Sequence, residues 1–600
     1  MNDNDYTLEI FINEAAPLLD LIRNTSSLGN VRRKLFNKVS SIQFEAFSES
    51  RKVPFDERLI VRDCARAFRG VLKGNSDKKA GFSVAQAIWD IARGVPRTDL
   101  LPGFFAEMIH IVRGIQGRAG AMTPTDVDIT EKMKGRKAAL ARSDDLDRMW
   151  ERVTSLMDRY EDGLSEEAVN RREIRRSAIL SALNALPADW ENWTWQANHV
   201  VKEPGLLSRM VMLSEEENRN VAQARDLGIP FGITPYYLSL MDDIDDIGND
   251  RWGRDRAVRA QVLPPKSYVS EMGAGRLDRA KTFDFMLERD TSPVDLVTRR
   301  YPAIAILKPF NTCPQICVYC QRNWEIDEAM APTAMAHPKT LEKAYTYIEQ
   351  HPAIREVLVT GGDPLVMSDD KLHNILSRIA GIKSVDFIRI GSRTPVTLPM
   401  RITKDLAALL GSFRKPGVRE VALVTHVEHP YEVTPEFVTA VDRLRREGIG
   451  IYNQHVYTFF VSRRFEAACL RMLLRRCGVD PYYTFVPKGK EETAAYRVPL
   501  ARILQEQKEE ARLLPGTRRT DEAVYNVPGL GKNYVRAFQH RDIISILPDG
   551  SRVYEFHPWE KMIARRKPYV GVDVPILEYL KRLATIGETI TDYGSIWYYY

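Results

Sequence analysis

Six short apolar runs, each separated from the next by a longer helix-compatible segment, constrain the fold of residues 300–490. The runs lie at Ile304–Leu307, Glu356–Thr360, Asp386–Ile390, Val421–Thr425, Ile449–Asn453 and Tyr482–Val486. The intervening helix-compatible segments are 339–350, 370–381, 402–412, 434–447 and 464–476. Alternation of this kind predicts parallel strands joined by right-handed crossovers. Six units favour an α/β fold built on a partial (β/α)6 barrel over a closed eight-fold barrel.

An unusual polar cluster follows each predicted strand. These clusters are a cysteine loop, Thr360-Gly-Gly-Asp-Pro364, Gly391-Ser-Arg-Thr-Pro395, His426-Val-Glu-His-Pro430, Asn453-Gln454-His455 and Pro487-Lys-Gly-Lys490. Any one of these clusters could be explained as an ordinary turn sequence. That explanation is poor for all six together. Because barrel active sites form at the carboxyl ends of strands, we expect the active site at this edge of the sheet.

The cysteine loop contains Cys313, Cys317 and Cys320 at CxxxCxxC spacing. Three thiolates can ligate three corners of a [4Fe–4S] cluster and leave the fourth iron open, whereas such clusters usually take four cysteines. An open iron is a defect in an electron carrier and a requirement in an enzyme that binds its substrate at iron. In radical S-adenosylmethionine (SAM) enzymes that iron binds SAM, which is then cleaved to a 5′-deoxyadenosyl radical.

Zinc is the alternative occupant of the cysteine loop. A structural zinc site takes four ligands, usually from two paired motifs. The other cysteines, Cys64, Cys469 and Cys477, form no metal-like pair. The spacing therefore favours the iron–sulfur cluster.

Composition excludes some classes of function. The chain carries 86 basic and 80 acidic residues, and this balance over 600 residues gives no case for nucleic-acid binding. No apolar run reaches membrane-spanning length, and the first five residues lack the basic region of a signal peptide. Few cysteines and an oxygen-sensitive cluster indicate the reducing cytoplasm. The length predicts two to four domains.

Residues 1–185 carry helical patterns. Leu146, Met149, Trp150, Val153, Met157 and Tyr160 recur at helical spacing, and Ser165–Leu186 reads as a second amphipathic helix. Such stripes favour helix packing over a cofactor site. We expect a helical N-terminal extension, and our hypothesis is that it serves oligomerisation or partner docking.

A series of motifs in a fixed order extends from Trp190 to His557. It comprises Trp193-Thr-Trp-Gln196, Ile233-Thr-Pro-Tyr-Tyr-Leu-Ser-Leu240, Arg300-Tyr-Pro302, the cysteine motif, Gly361-Gly-Asp-Pro364, Arg389-Ile-Gly-Ser-Arg-Thr-Pro395, Thr425-His426, Asn453-Gln454, Tyr496-Arg-Val-Pro499 and Pro528-Gly-Leu-Gly-Lys532. Together these motifs closely resemble the lysine 2,3-aminomutase family of radical-SAM, pyridoxal-phosphate (PLP) enzymes. The resemblance covers about three-fifths of the chain.

The resemblance implies an isomerase that moves an amino group from C2 to C3 of an amino acid. It implies three cofactors: a [4Fe–4S] cluster on the three cysteines, SAM and PLP. It also implies an external one-electron reductant of flavodoxin or ferredoxin type and a homo-oligomeric enzyme.

Residue roles follow from the matched motifs. Lys532 matches the catalytic lysine that holds PLP as a Schiff base, and Arg300 matches an arginine near the PLP phosphate. Arg322 matches the arginine that pairs with the substrate α-carboxylate, a task that suits a guanidinium fork. The segment that receives the SAM amino group is matched by Gly361, Gly362 and Asp363.

Two departures from the lysine-enzyme pattern concern the substrate tail. Lysine aminomutases hold the distal ammonium with two aspartates, and the matching positions here are Lys488 and Asn526. An ammonium tail would meet a like charge, whereas a carboxylate would gain an ammonium and an amide donor. This pair resembles the glutamate 2,3-aminomutase branch. The alternative is that Lys488 points to solvent and another group contacts the tail.

Two further departures concern the cofactor sites. The Asn526–Lys532 loop is one residue shorter than in the lysine enzymes. Ile304 stands where the family has a second arginine, and Lys308 is a candidate replacement.

The sequence thus predicts a cytoplasmic 2,3-aminomutase acting on an acidic L-α-amino acid, with L-glutamate as the favoured substrate. Lysine-type activity on free or protein-bound lysine is one alternative, and a non-catalytic iron–sulfur scaffold is another. The expected organisation is an extension (1–185), a helical region (186–295), the barrel (296–500) and a C-terminal region with the PLP lysine loop (501–600).

Overall fold

The structure, a computed structural model, describes residues 5–48, 55–120, 133–242, 253–278, 282–487, 491–558 and 567–600. It consists of two compact units. The first contains Met1–Leu156, Val498–Leu513 and Ala523–Tyr600, and the second contains Met157–Arg497 and Leu514–Glu522. The first unit joins segments from both ends of the chain, a grouping that no sequence pattern indicated.

The described helices and strands are numbered in chain order. The helices are α1 (Leu8–Ile22), α2 (Leu28–Ala46), α3 (Phe55–Val71), α4 (Gly74–Ala80), α5 (Val84–Ala92), α6 (Pro102–Ile115), α7 (Gly135–Met157), α8 (Glu166–Ala182), α9 (Trp193–Asn198), α10 (Pro204–Met210), α11 (Glu215–Asp226), α12 (Pro235–Leu238), α13 (Arg256–Val262), α14 (Lys266–Ala274), α15 (Pro338–Glu349), α16 (Asp369–Ala380), α17 (Thr394–Thr397), α18 (Lys404–Ser412), α19 (Pro435–Arg446), α20 (Glu466–Cys477), α21 (Leu500–Leu513) and α22 (Ile576–Thr585). The strands are β1 (Val297–Thr298), β2 (Ile304–Phe310), β3 (Glu356–Gly361), β4 (Phe387–Gly391), β5 (Glu420–Thr425), β6 (Gly450–Val456), β7 (Asp480–Val486), β8 (Glu522–Val527), β9 (Gly531–Tyr534), β10 (Arg541–Ile546), β11 (Arg552–Phe556) and β12 (Tyr569–Val572).

The second unit is built on a parallel sheet. Strands β2 to β7 pair in sequential order, each parallel to the next, and β1 adds an antiparallel edge to β2. All six predicted strands and the five helices between them are confirmed, with ends that shift by at most three residues. The sequential order is that of a barrel wall and differs from the reversing order of a doubly wound sheet. The partial barrel itself stays a prediction.

The core of this unit lies between the sheet and its crossover helices. Alternate strand residues are buried, as in Ile451, Asn453 and His455 of β6, whereas Tyr452 and Gln454 are partly exposed. The buried apolar strand residues form one hydrophobic cluster with the inner faces of the helices. Helices therefore cover one face of the sheet, and the other face stays accessible.

Local sequence sets where the crossover helices begin. Thr434 caps α19 by accepting a hydrogen bond from Phe437 N (3.1 Å), and Pro435 occupies the first helical position. Such a cap satisfies a backbone N–H that the helix leaves unpaired, and proline at this position lacks that N–H. Thr403 caps α18 in the same way.

The first unit combines helices α1 to α6 with the C-terminal strands. Strands β10, β11 and β12 form an antiparallel sheet, and β8 and β9 form an antiparallel hairpin. Buried side chains from both ends of the chain supply the interior, among them Phe11, Phe68, Phe104, Phe556 and Trp597. Within the described ranges, no helix has both the length and the apolarity required to cross a membrane.

Candidate active site

The cysteine loop follows β2, at the carboxyl edge of the parallel sheet. Cys313, Cys317 and Cys320 are partly buried and take part in no disulfide. The loop backbone is fixed by its neighbours, since Ile316 N donates to Gly232 O (3.0 Å). The three sulfurs thus come from a short, anchored segment.

Burial and charge at this loop favour a cationic occupant. Burial raises the pKa of the Cys317 thiol to about 11 and raises that of Cys313 well above its usual value, so thiolates here require compensating positive charge. Arg393 supplies part of it, because its Nη1 donates to Cys317 Sγ (2.8 Å). An iron–sulfur cluster would supply the rest, which fits this donor set.

The number of ligands decides between a cluster and zinc at this loop. The CxxxCxxC segment supplies three thiols, whereas a structural zinc site takes four ligands. Three thiols suit a cluster whose fourth iron stays open.

Two glycines hold the end of β3 directly against the cysteine loop. A Cβ on Gly362 would lie 2.0 Å from Thr312 O, the residue before Cys313. Gly361 has φ +121°, a conformation that side chains disfavour. The backbone at the end of β3 therefore touches the backbone before Cys313 and leaves no room for a side chain. This explains why the segment carries two glycines.

Asp363 connects three of the predicted strand-end clusters. Its backbone N donates to Thr312 O (2.8 Å), and its carboxylate accepts from Ser392 Oγ (2.6 Å) and Arg393 N (2.9 Å). Burial raises the pKa of this carboxyl group. The side chain thus ties the loop after β3 to the loop after β4 and to the cysteine segment.

Arg393 is a central residue to which sequence reasoning assigned no role. Besides Cys317, its guanidinium contacts Glu432 (2.6 Å) and Tyr237 Oη (3.4 Å), and its Nε donates to His426 O (3.1 Å). These partners come from separate segments of the second unit. The signals in the sequence were its place in the third polar cluster, Gly391–Pro395, and in the family-like motif Arg389–Pro395.

Glu432 is the buried counter-charge of Arg393, and its side chain is 0% exposed. Its Oε1 also accepts from Tyr237 Oη (2.6 Å) and Gln261 Nε2 (3.0 Å). Gln261 Oε1 in turn accepts from Tyr319 Oη (2.8 Å), a residue of the cysteine loop. This network encloses the loop in polar groups that satisfy one another, as buried groups must.

Arg322 lies in a second charged cluster. Its guanidinium bridges Glu288 and Glu325. Lys308 Nζ contacts the same two carboxylates at 3.0 and 3.6 Å, and Thr298 Oγ1 donates to Glu288 (2.8 Å). The cluster contains two cations and two anions and is formally neutral. Lys308, the candidate replacement for an absent arginine, is therefore in ionic contact with the residues that hold Arg322.

One donor of Arg322 remains available. Its buried Nε has no hydrogen-bond partner among the described residues. Burial alone would raise the pKa of Glu288, but Arg322 and Lys308 lower it to about 2. Glu288 is thus ionised at neutral pH and holds Arg322 in place, while the unpaired Nε fits an additional oxygen acceptor such as a substrate carboxylate.

Arg300 lies just before β2 and is partly buried. Its Nε donates to Thr291 Oγ1 at 3.4 Å. Its expected role near the PLP phosphate stays a prediction.

Lys532 and Asn526 belong to the β8–β9 hairpin of the first unit. They are cross-strand partners, and both are partly buried. The turn between them includes Gly529 with φ +67°, and Gly531 follows with φ +94°. The loop that is one residue shorter than the lysine-enzyme pattern is therefore a tight hairpin turn. Lys488, which is expected to contact the substrate tail together with Asn526, lies outside the described residues.

Comparison with known proteins supports the resemblance. No family model matches the chain. An uncharacterized KamA family protein of Methanocaldococcus jannaschii is 41% identical over 606 residues, which covers 97% of this chain and 96% of that protein.

Two named enzymes match about half of this chain. The glutamate 2,3-aminomutase of Clostridioides difficile is 33% identical over 331 residues, covering 55% of this chain and 72% of the enzyme. The L-lysine 2,3-aminomutase of Fusobacterium nucleatum is 35% identical over 341 residues, covering 53% and 74%. Both relatives are isomerases. The chain belongs to the lysine 2,3-aminomutase family, of which glutamate 2,3-aminomutase is a close branch.

Proposed function

We propose that this protein is a radical-SAM, PLP-dependent 2,3-aminomutase that moves the amino group of an acidic L-α-amino acid, L-glutamate, from C2 to C3. The observation that carries the proposal is the anchored cysteine loop, whose three cysteines lie at the carboxyl edge of a parallel sheet. The named relatives supply the reaction class.

The residues that match the family motifs suit the cofactors that this reaction needs. Cys313, Cys317 and Cys320 would hold the cluster, Gly361 to Asp363 would face the SAM amino group, and Lys532 would hold PLP. A reduced cluster with SAM supplies a carbon radical, and PLP supplies an electron sink. Arg393 offsets negative charge at Cys317, and its pairing with Glu432 keeps the guanidinium oriented.

Arg322 would bind and orient the substrate α-carboxylate. Its Nε is an unused buried donor, and Glu288 and Glu325 fix the plane of the guanidinium. A preoriented charged donor loses less entropy on binding than a mobile side chain would. The cluster is neutral beforehand, so the attraction for an arriving carboxylate comes from a charge-assisted hydrogen bond that the unpaired Nε can donate.

The proposal that the substrate is acidic rests on the two residues expected to contact the substrate tail. Lys488 and Asn526 stand where lysine enzymes have aspartates, so a carboxylate tail would gain an ammonium and an amide donor. The glutamate 2,3-aminomutase relative is in keeping with this reading. The electron donor would be a flavodoxin or ferredoxin, which places the reaction in the reducing cytoplasm.

The test is product formation by anaerobically reconstituted protein. Reduced enzyme with SAM and PLP is incubated separately with L-glutamate, L-aspartate and L-lysine, and β-amino acids are separated by chromatography. We expect β-glutamate as the main product. Product from lysine alone would overturn the acidic-substrate assignment, and SAM cleavage without any β-amino acid would overturn the aminomutase assignment.

A further inference from the structure

The N-terminal helices meet the C-terminal strands of the first unit backbone to backbone. A Cβ on Gly70 of α3 would lie 2.6 Å from Ile543 O of β10. Leu101 N donates to Pro548 O (2.9 Å), and a Cβ on Gly103 would lie 2.0 Å from Asp549 O. These approaches leave no space for side chains or solvent between the two segments.

A buried ion pair joins the same two segments. Arg552 Nε of β11 lies 3.0 Å from both carboxylate oxygens of Glu107 in α6, 445 residues away in sequence. Both side chains are 1% exposed. Arg552 also donates to Trp597 O (2.7 Å). Removing one partner of such a pair leaves an uncompensated buried charge and strongly destabilises the packing around it.

The β10–β12 sheet in turn holds the hairpin that carries Lys532. Phe556, in the same strand as Arg552, stacks on Tyr525 of β8 with ring centroids 4.7 Å apart and an interplanar angle of 5°. Asn533 follows Lys532 in the chain, and its Nδ2 donates to His540 O (3.0 Å). Contacts from the N-terminal helices thus continue through the sheet to both strands of the hairpin.

Arg541 adds a further link at the start of the sheet. Its Nη1 donates to Val535 O (2.6 Å), directly beyond the last residue of β9. Strand β9 has four residues and is the last strand in the hydrogen-bonded order of its sheet. The contacts of Tyr525, Asn533 and Val535 therefore help to fix the position of Lys532, and they come from the β10–β12 segment that is packed against the N-terminal helices.

We propose that helices α1 to α6 form an internal scaffold that positions Lys532 for PLP, with Glu107 of α6 as its key positioning residue. This inference rests on the proposed role of Lys532. It replaces the sequence-based hypothesis that the extension serves oligomerisation or docking. It also argues against treating the extension as separable, because its helices supply part of the core that supports the hairpin.

The experiment compares full-length variants after cluster and PLP loading. Glu107→Gln leaves Arg552 without its counter-charge, Gly70→Ala forces α3 away from β10, and Glu107→Asp retains the charge. Gly29→Ala is the matched control, since a Cβ there meets no atom within 4 Å. The readouts are the PLP dissociation constant, the pH midpoint of the absorbance of lysine-bound PLP, iron per chain, and the thermal unfolding midpoint.

We expect Glu107→Gln and Gly70→Ala to weaken PLP binding by about tenfold or more and to shift that pH midpoint, with iron per chain unchanged. Glu107→Asp should recover part of the affinity, and Gly29→Ala should match the unmodified protein. Unchanged PLP affinity in a variant whose unfolding midpoint has fallen would overturn the proposal. Equal losses of PLP and iron would also overturn it, because they indicate general unfolding.

Amide hydrogen exchange in residues 522–536 provides a readout that needs no PLP. Faster exchange there in Glu107→Gln and Gly70→Ala than in Gly29→Ala supports the scaffold, and equal rates overturn it. If the unmodified protein binds no PLP at Lys532, the proposed function fails, while the exchange data still decide whether the N-terminal helices support the hairpin.

Discussion

Asn526 lies directly opposite Lys532 in the antiparallel β8–β9 hairpin. Opposed residues project to the same face, with Cβ atoms about 4.5–5.5 Å apart. Position 526, expected to contact the substrate tail, and position 532, expected to hold PLP, are therefore neighbours on one surface. A charge placed at either position acts on the other at short range.

The change Asn526→Asp tests this neighbourhood. A carboxylate opposite Lys532 attracts its ammonium form, whereas the covalent link to PLP needs the neutral amine. We expect the pH at which the PLP–lysine absorbance develops to move upward by about one unit. Asn526→Ala removes the amide without adding charge and is the control. An unchanged pH midpoint in Asn526→Asp would show that the two side chains do not interact.

The cysteine assignment predicts selective loss of the cluster. Replacing Cys313, Cys317 or Cys320 by alanine should remove a corner ligand, abolish [4Fe–4S] assembly and stop release of 5′-deoxyadenosine from SAM. Cys477→Ala, at the end of α20 and outside the loop, should retain both properties. Iron analysis and chromatography of the nucleoside measure the two effects. Continued SAM cleavage in any loop variant would contradict its assignment as a ligand.

The lysine assignment predicts one site of covalent labelling. Borohydride reduction of PLP-loaded protein should fix the cofactor on Lys532, since reduction converts the lysine linkage into a stable amine. Peptide mass spectrometry locates the label, and Lys532→Arg, which keeps the charge but not the reactivity, is the control. Label on Lys308, Lys488 or Lys490 would show that another lysine holds PLP.

The lowered pKa of Glu288 predicts that the stability of the fold depends on pH. Its pKa is lowered from 4.5 to about 2 in the folded state, so its carboxylate stabilises the fold above about pH 4.5. This stabilisation is lost as the pH falls from about 4.5 through about 2 and amounts to about 3 kcal/mol at neutral pH.

The variant Glu288→Gln should therefore be less stable than the unmodified protein at pH 7, and the difference should shrink below pH 4.5. Chemical denaturation at several pH values measures it. Glu173→Gln, at an exposed position of α8, is the control and should show little effect. A difference that is constant from pH 7 to pH 3 would contradict the ionic role of Glu288.

Substrate charge is the sharpest prediction. A charge-assisted hydrogen bond contributes roughly 1.5–3 kcal/mol, and a like charge in the wrong partner costs several more. We expect glutamate to be preferred over lysine by about a thousandfold or more in kcat/KM. The double change Lys488→Asp with Asn526→Asp should severely weaken glutamate turnover. Efficient lysine turnover by the unmodified enzyme would refute the charge argument and leave the aminomutase assignment standing.

Much of the second unit could be read from local patterns. The alternation that places Ile451 and Asn453 on one side of β6 has a period of two residues, and the caps of α18 and α19 lie within three residues of the groups they satisfy. Such information is contained in short segments, because strand pleating and helix capping are local. The same is true of the three cysteines, whose spacing alone indicated a cluster.

The partners of the charged site residues were decided only by the tertiary structure. Arg393 meets Cys317 across 76 residues of sequence, and Arg322 meets Glu288 across 34. No short pattern encodes such a contact, since it depends on which strand ends the fold brings together. The sequence assigned a role to Arg322 but not to its two carboxylate partners, and it placed Arg393 in a polar cluster and a family-like motif without a role.

The clearest contrast is at the two ends of the chain. The sequence by itself predicted a helical N-terminal extension and placed Lys532 in a Gly-rich loop. Only the tertiary structure decided that α6 and β11 share a buried ion pair between Glu107 and Arg552. The physical reason is that amphipathic periodicity specifies which face of a helix is buried but not what buries it. That choice depends on shape and charge complementarity between segments 445 residues apart.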